Sequence, residues 1–184
     1  MAITESKMMA LGTKAPDFEL QDVVVGQLRK LDDFKSDVAT VVMFICNHCP
    51  FVQHVRDELI NVANDYIPKD IAFIAICSNN EEAFPEDGPE HMKQVAQSLD
   101  FPFPYLHDKT QQAAKDYQAA CTPDFYVFDG SMNCLYRGQL DGSRPGNNIP
   151  VNGEDLRKAL DAILAGRKPS SEQKPSIGCN IKWK

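Results

Sequence analysis

The chain has 184 residues, of which 43% are apolar and 24% charged, ordinary values for a globular protein. A net charge of −7 without a concentrated basic stripe repels phosphate backbones and excludes nucleic acid as an expected partner. No stretch approaches a membrane span, and the Met8–Leu11 patch lacks the length and basic flank of a secretory signal, so a cytoplasmic chain with no membrane partner is expected.

The length predicts one domain over residues 1–184, with a core over about residues 11–166 and an extended tail over 167–184. Phe18 and Leu20 alternate, and Leu28 and Leu31 return after a Gly26-Gln27 turn, which predicts an N-terminal hairpin. Val38–Ile45 is apolar and β-branched almost throughout, the composition of a strand buried on both faces. Val52, Val55, Leu59, Val62 and Tyr66 then recur at helical spacing, and Pro68 ends the pattern. Ile71–Cys77 is a second buried strand, so strand, helix and strand form a βαβ unit with a parallel pair. Asn79–Pro89 reads as an acidic loop, Glu90–Leu99 as a helix, Tyr105-Leu106 as a short extended link and Gln111–Tyr117 as a short helix. Phe125–Phe128 and Leu135-Tyr136 flank an Asp129-Gly130 turn, a hairpin signal. Asp141–Gly153 is a loop, Glu154–Leu164 a helix closed by Gly166, and the rest a polar tail that Trp183 is expected to anchor. This order predicts an α/β thioredoxin-like fold: a central mixed β-sheet flanked by helices, with an N-terminal β-hairpin and a C-terminal tail.

The chemistry concentrates in Cys46-Asn47-His48-Cys49-Pro50, at the turn from a buried strand into an amphipathic helix. In a chain of this size with no sign of secretion, C-x-x-C spacing points to redox or metal chemistry rather than a disulfide framework. Unpaired N–H groups and the positive dipole end at a helix start stabilise a thiolate, the nucleophilic form of cysteine. Pro50 suits the first helical position, which makes Cys49 the N-cap residue and places Cys46 in the preceding loop, facing outward and free to swing in. His48 is a candidate positive charge beside them. Thr122-Pro123 precedes an inner strand, where a proline often marks a cis bond, and Cys121 then brings a third sulfur near the site. Cys77 and Cys134 read as buried structural residues, Cys179 as either a resolving thiol or a docked tail residue, and His91 and His107 as surface residues. Arg144 is either a charge turned towards the thiolate or a plain loop arginine. A Cys46, His48, Cys49 and His54 set would suit zinc or copper, but no metal or other cofactor is the primary expectation.

Gly12-x-x-Ala15-Pro16-Asp17-Phe18-x-Leu20 resembles the opening of the alkyl hydroperoxide reductase/thiol-specific antioxidant class. With Cys46–Pro50, Cys121–Asp129, Ser143–Gly146 and Gly178–Trp183, the chain resembles the peroxiredoxin-like (AhpC/TSA, redoxin) branch of the thioredoxin superfamily from about Leu11 to Trp183. The resemblance implies that fold and thiol redox chemistry. Peroxiredoxins carry a threonine three residues before the peroxidatic cysteine; here that position is Cys46 if Cys49 is peroxidatic. Counting five residues from Phe44, as in similar tethered thioredoxins, lands on Cys49 as attacker, with Val52 at the usual second-cysteine position; in a simpler alignment Cys46 attacks and Cys49 resolves.

Three functions follow as expectations. The first is a thiol–disulfide oxidoreductase in which Cys49 attacks, Cys46 resolves and Pro123 shapes the substrate groove. Its partners are protein or small-molecule disulfides and thiols, with a dithiol reductant to recycle it. The second is a hydroperoxide reductase in which Cys49 becomes a sulfenic acid resolved by Cys46, Cys121 or Cys179. The third is a Cys/His metal-binding module.

Overall fold

The β-branched run becomes β4 (Ala39–Phe44), the strand around which the rest is arranged. In the computed structural model, which describes residues 3–184, all six of its residues are buried. Successive side chains of a strand point to opposite faces. Val41 and Met43 accordingly enter one apolar cluster, while Val42 and Phe44 enter another.

β4 pairs in parallel with β5 (Ile71–Cys77), and α1 (Pro50–Tyr66) makes the crossover. The predicted stripe Val52, Val55, Leu59, Val62 and Tyr66 is the buried face of α1. Pro68 lies in the single 3-10 turn that follows the helix. β5 pairs in parallel with β6 (Tyr105–His107), and the hairpin β2 (Glu19–Asp22) and β3 (Gln27–Lys30) attaches to β6. On the other side of β4, β8 (Asp124–Asp129) and β9 (Cys134–Gly138) form the second hairpin. The resulting seven-stranded mixed sheet has the order β3-β2-β6-β5-β4-β8-β9. Helices α1, α2 (Pro89–Ser98) and α4 (Glu154–Leu164) bury their apolar residues on the Val41 face. Helix α3 (Gln112–Asp116) covers the opposite face, where Phe44, Tyr117, Tyr126 and Phe128 form an aromatic cluster. This is the expected thioredoxin-like architecture.

The tail departs from expectation. Ile177–Asn180 form a strand, β10, between β1 (Ile3–Glu5) and β7 (Cys121–Thr122) in a second, three-stranded antiparallel sheet. Trp183 is 44% exposed and is not the anchor. Cys179 and Ile181 are buried instead, and the backbone of Lys182 bonds to Asn79, Asn80 and Gln111. The ladder is closest at Gly178, where a Cβ would lie 2.0 Å from the Thr122 carbonyl oxygen. Gly178→Ala must push β10 off β7, and is expected to cost about 1–3 kcal/mol by the usual price of overpacking. Urea denaturation measures it; an unchanged midpoint would contradict the close approach.

Candidate active site

Strand register assembles the site. Pairing of β4 with β8 sets Phe44 opposite Asp124. The chain leaving β4 through Cys46 therefore meets the chain entering β8 through Thr122 and Pro123 at one end of the sheet. The Thr122-Pro123 peptide bond is cis, as the sequence suggests. Cys49 is the N-cap of α1, with extended backbone, and Pro50 is the first helical residue. The helix follows directly because the missing N–H of a proline at that position costs nothing.

Thr122 joins the two cysteines. Its hydroxyl lies 3.2 Å from Cys46 Sγ, and its carbonyl oxygen lies 3.3 Å from Cys49 Sγ, where it accepts a hydrogen bond whenever Cys49 is protonated. The two thiols also shift each other's ionisation in opposite directions, and this sets them apart. The neighbouring Cys46 thiol is the main cause that holds Cys49 down to about 5. Burial opposes it, while the Cys179 thiol and the N–H groups of Val52 and Cys179 act in the same direction as Cys46. Cys46 is pushed well up, first by burial, then by Cys49 and by the Asp87 carboxylate. The pair is thus a thiolate beside a protonated thiol.

Several expectations need correction. The dithiol does not face outward: Cys46 is 2% exposed and Cys49 0%. Nor is Cys46 free to swing. Asp87, fully buried, clamps its loop by accepting from Asn47 N (2.7 Å), His48 N (3.2 Å), His48 Nδ1 (2.5 Å) and Asn79 Nδ2 (2.7 Å). His48 is turned to this carboxylate and stacks on Phe84, its ring centroid 4.8 Å away. The Arg144 guanidinium donates to the carbonyls of Asp141 and Ser143 and to Gln139 Oε1, so it braces its own loop. Its loop and Pro123 border a recess also lined by Phe51 and Val55. His107 is buried, not at the surface; its Nε2 lies 2.5 Å from a Glu81 carboxylate oxygen, and burial draws its pKa down. His54 bonds Ser143 Oγ at 2.7 Å.

All six cysteines are reduced and buried. Cys77 and Cys134 sit in the core as expected. Cys121 is near Cys49 in space, but its thiol is directed to the carbonyls of Pro123 and Ser176, and burial pushes its pKa far up. Cys179 is the third sulfur that does reach Cys49. Among the described residues, Cys46 Sγ, a His48 ring nitrogen and an Asp87 oxygen also lie within 4.8 Å of one another. That set differs from the cysteine and histidine group predicted for a metal. Both Asp87 oxygens already accept hydrogen bonds, one from His48 Nδ1, so the residues form a clamp that fits an ion poorly.

Asp87 is the residue that sequence reading missed. It lies in the acidic Asn79–Pro89 loop, where no spacing distinguishes it from Glu81, Glu82 or Glu86. Fully buried Asp124, whose carboxyl burial raises to about 8, is the second. Asp87→Ala leaves four donors without their acceptor. A loss of about 3 kcal/mol is expected from buried donors left unsatisfied beside a lost charge-assisted network. A calorimetric melt tests this, and an unaltered melt would refute the clamp.

Comparison with known proteins places this geometry. A family model described as the AhpC/TSA family matches residues 11–136. A solved structure of an uncharacterized conserved protein from Geobacillus kaustophilus is 61% identical, with TM-score 0.98 over 100% of this chain and 97% of that one. A hypothetical protein from Sinorhizobium meliloti 1021 is 46% identical, with TM-score 0.95 over 98% of each chain. Among more distant structures, peroxidoxin BcpB from Mycobacterium tuberculosis is 19% identical, with TM-score 0.65 over 87% of this chain and 99% of that one, a likeness of fold. A search of curated proteins finds no match. The family model spans more than half of the sequence and includes both cysteines of the pair, and on that evidence the chain belongs to the AhpC/TSA family.

Proposed function

We propose that this protein is a thiol–disulfide oxidoreductase in which Cys49 is the nucleophile and Cys46 the resolving thiol. The observation that carries the reading is Cys49 at the N-cap of α1, buried beside its C-x-x-C partner Cys46, whose nearness is the main cause that holds its pKa down to about 5. A thiol with an ordinary pKa is mostly protonated and inert at neutral pH, whereas this one is almost wholly thiolate. Membership of a thioredoxin-fold redox family supports the same chemistry.

In the forward direction the Cys49 thiolate attacks one sulfur of a substrate disulfide and expels the other as a thiolate. Cys46 then gives up its proton and attacks Cys49 Sγ, which forms the Cys46–Cys49 disulfide and releases the second substrate thiol. A cellular dithiol reductant returns the pair to its starting state. His48, Pro50, Thr122 and Pro123 position the sulfurs: Pro50 starts the helix, Thr122 bonds both sulfurs, Pro123 borders the recess, and His48 ties the loop to Asp87. The substrates are protein or small-molecule disulfides, and the setting is the cytoplasm, without a nucleic-acid or membrane partner.

Hydroperoxide reduction is the weaker reading, since Cys46 occupies the place where peroxiredoxins carry the threonine hydroxyl that orients peroxide.

Insulin-disulfide reduction tests the proposal. Cys49→Ser leaves only thiols at or above the ordinary value, of which about one in a hundred is ionised at neutral pH, so a rate loss of about 100-fold or more is expected. Retained activity in Cys49→Ser would overturn the assignment. Rapid peroxide consumption that depends on Cys49, with no disulfide reduction, would establish the peroxidase instead.

A further inference from the structure

The C-terminal strand brings a third sulfur to the reacting atom. In an antiparallel ladder, residues directly opposite each other carry their side chains on the same face, and neighbours along a strand alternate. Cys179 on β10 is opposite Thr122, and Asn180 is opposite Cys121. The Thr122 hydroxyl points to Cys46 Sγ, so Cys179 shares the face of the dithiol, and Cys121 is on the other. The Cys121 thiol is accordingly directed to the Pro123 and Ser176 carbonyls. Cys46, Cys49 and Cys179 belong to one buried cluster, in which Cys49 and Cys179 are near enough to shift each other's ionisation.

The two potential partners of Cys49 are held differently. Cys46 is in a loop clamped by three hydrogen bonds to Asp87. Cys179 is on a four-residue strand whose two neighbours, β1 and β7, are themselves only three and two residues long. Cys49 is fully buried, so a substrate disulfide reaches it only when something beside it moves. β10 itself has few ladder hydrogen bonds to break, and the tail is tied just beyond it, at Lys182, to Asn79, Asn80 and Gln111, so the movement is local to the strand.

We propose that Cys179 is a second resolving thiol, and that the mixed disulfide on Cys49 is released by either Cys46 or Cys179. The inference rests on Cys49 being the nucleophile. In the Cys179 route, the Cys49 thiolate attacks a disulfide RSSR′ and expels R′S⁻. As β10 returns, the Cys179 thiol passes its proton to the expelled R′S⁻ or to water and attacks Cys49 Sγ. The S–S bond between Cys49 and the substrate breaks, RS⁻ leaves, and the Cys49–Cys179 disulfide forms. The substrate gains two electrons and the protein loses two. This state ties the tail to the start of α1, whereas the Cys46–Cys49 disulfide leaves the tail untied.

The experiment uses the full chain with Cys46→Ser, challenged under native conditions with a small aromatic disulfide whose thiol is coloured, then acid-quenched, alkylated and mapped by mass spectrometry. Release of two coloured thiols per chain is expected, together with a cross-link between the peptides that carry Cys49 and Cys179. In Cys46→Ser/Cys179→Ser, release stops at one thiol and the mixed disulfide on Cys49 persists. If Cys46→Ser also stops at one thiol, or if Cys49 cross-links to Cys121, the role of Cys179 is refuted while Cys49 stands as the nucleophile. If the double variant carries no mixed disulfide on Cys49, the underlying reading fails with it. Reduced wild-type protein, challenged in the same way, guards against misfolding of the variants: some Cys49–Cys179 cross-link is expected beside Cys46–Cys49, and its complete absence overturns the proposal.

Discussion

A thiolate shut away from water survives only where fixed donors replace its hydration, and the structure around Cys49 is organised by that requirement. Burial alone raises a thiol pKa, as it does at Cys77, Cys121 and Cys134. Cys49 is as buried as any of them, and its pKa moves the other way. The difference is its surroundings: the thiols of Cys46 and Cys179 and the nearby N–H groups of Val52 and Cys179 all favour the charged form. These groups come from the loop after β4, from β10 and from the first turn of α1. The β4–β8 pairing, the α1 start and the tail strand must all be in place for the charge to be tolerated.

The same dependence explains the polar network beneath the site. Asp87 fixes the Asn47-His48 segment, and Asn79 donates to Asp87 while accepting from the backbone N–H of Lys182. Asn79 therefore connects the active-site loop to the docked tail. Gln111 adds two bonds from its amide nitrogen, to the carbonyls of Ser78 and Lys182. Buried networks of this kind are valuable only when complete, since each unmatched member costs its own desolvation. The loop is thus tied to the end of the tail at Lys182, beyond β10, with the Asp87 charge offset by the four donors around it.

Much of this could be read in the sequence, and the reasons are specific. β4 and the α1 stripe are continuous or periodic apolar patterns, and Pro50 marks the helix start at Cys49. The cis-proline loop follows from Thr122-Pro123 just ahead of an inner strand. The tail strand was not legible, because Ile177–Asn180 has only one large apolar residue, and its pairing is satisfied by backbone atoms opposite Gly178. The outward-facing dithiol was a wrong expectation for the same reason: the strand that covers it is distant in sequence. Asp87 was hidden among acidic neighbours, since a buried carboxylate is distinguished by its donors, which only the fold assembles. His107 is buried because it lies on β6 between β2 and β5, and Trp183 stays outside because it follows the last strand, whose burial ends at Ile181 and the Lys182 backbone.

The claim that everything else depends on is the ionisation of Cys49 in the folded, reduced protein. A pH titration of thiolate ultraviolet absorbance measures it directly. Because the folded pKa lies below the ordinary thiol value near 9, the thiolate signal should be present at neutral pH and be lost as pH falls through about 5, with Cys49→Ser removing that step. A reduced wild-type protein that shows no thiolate until pH rises to about 9 or beyond would contradict the account.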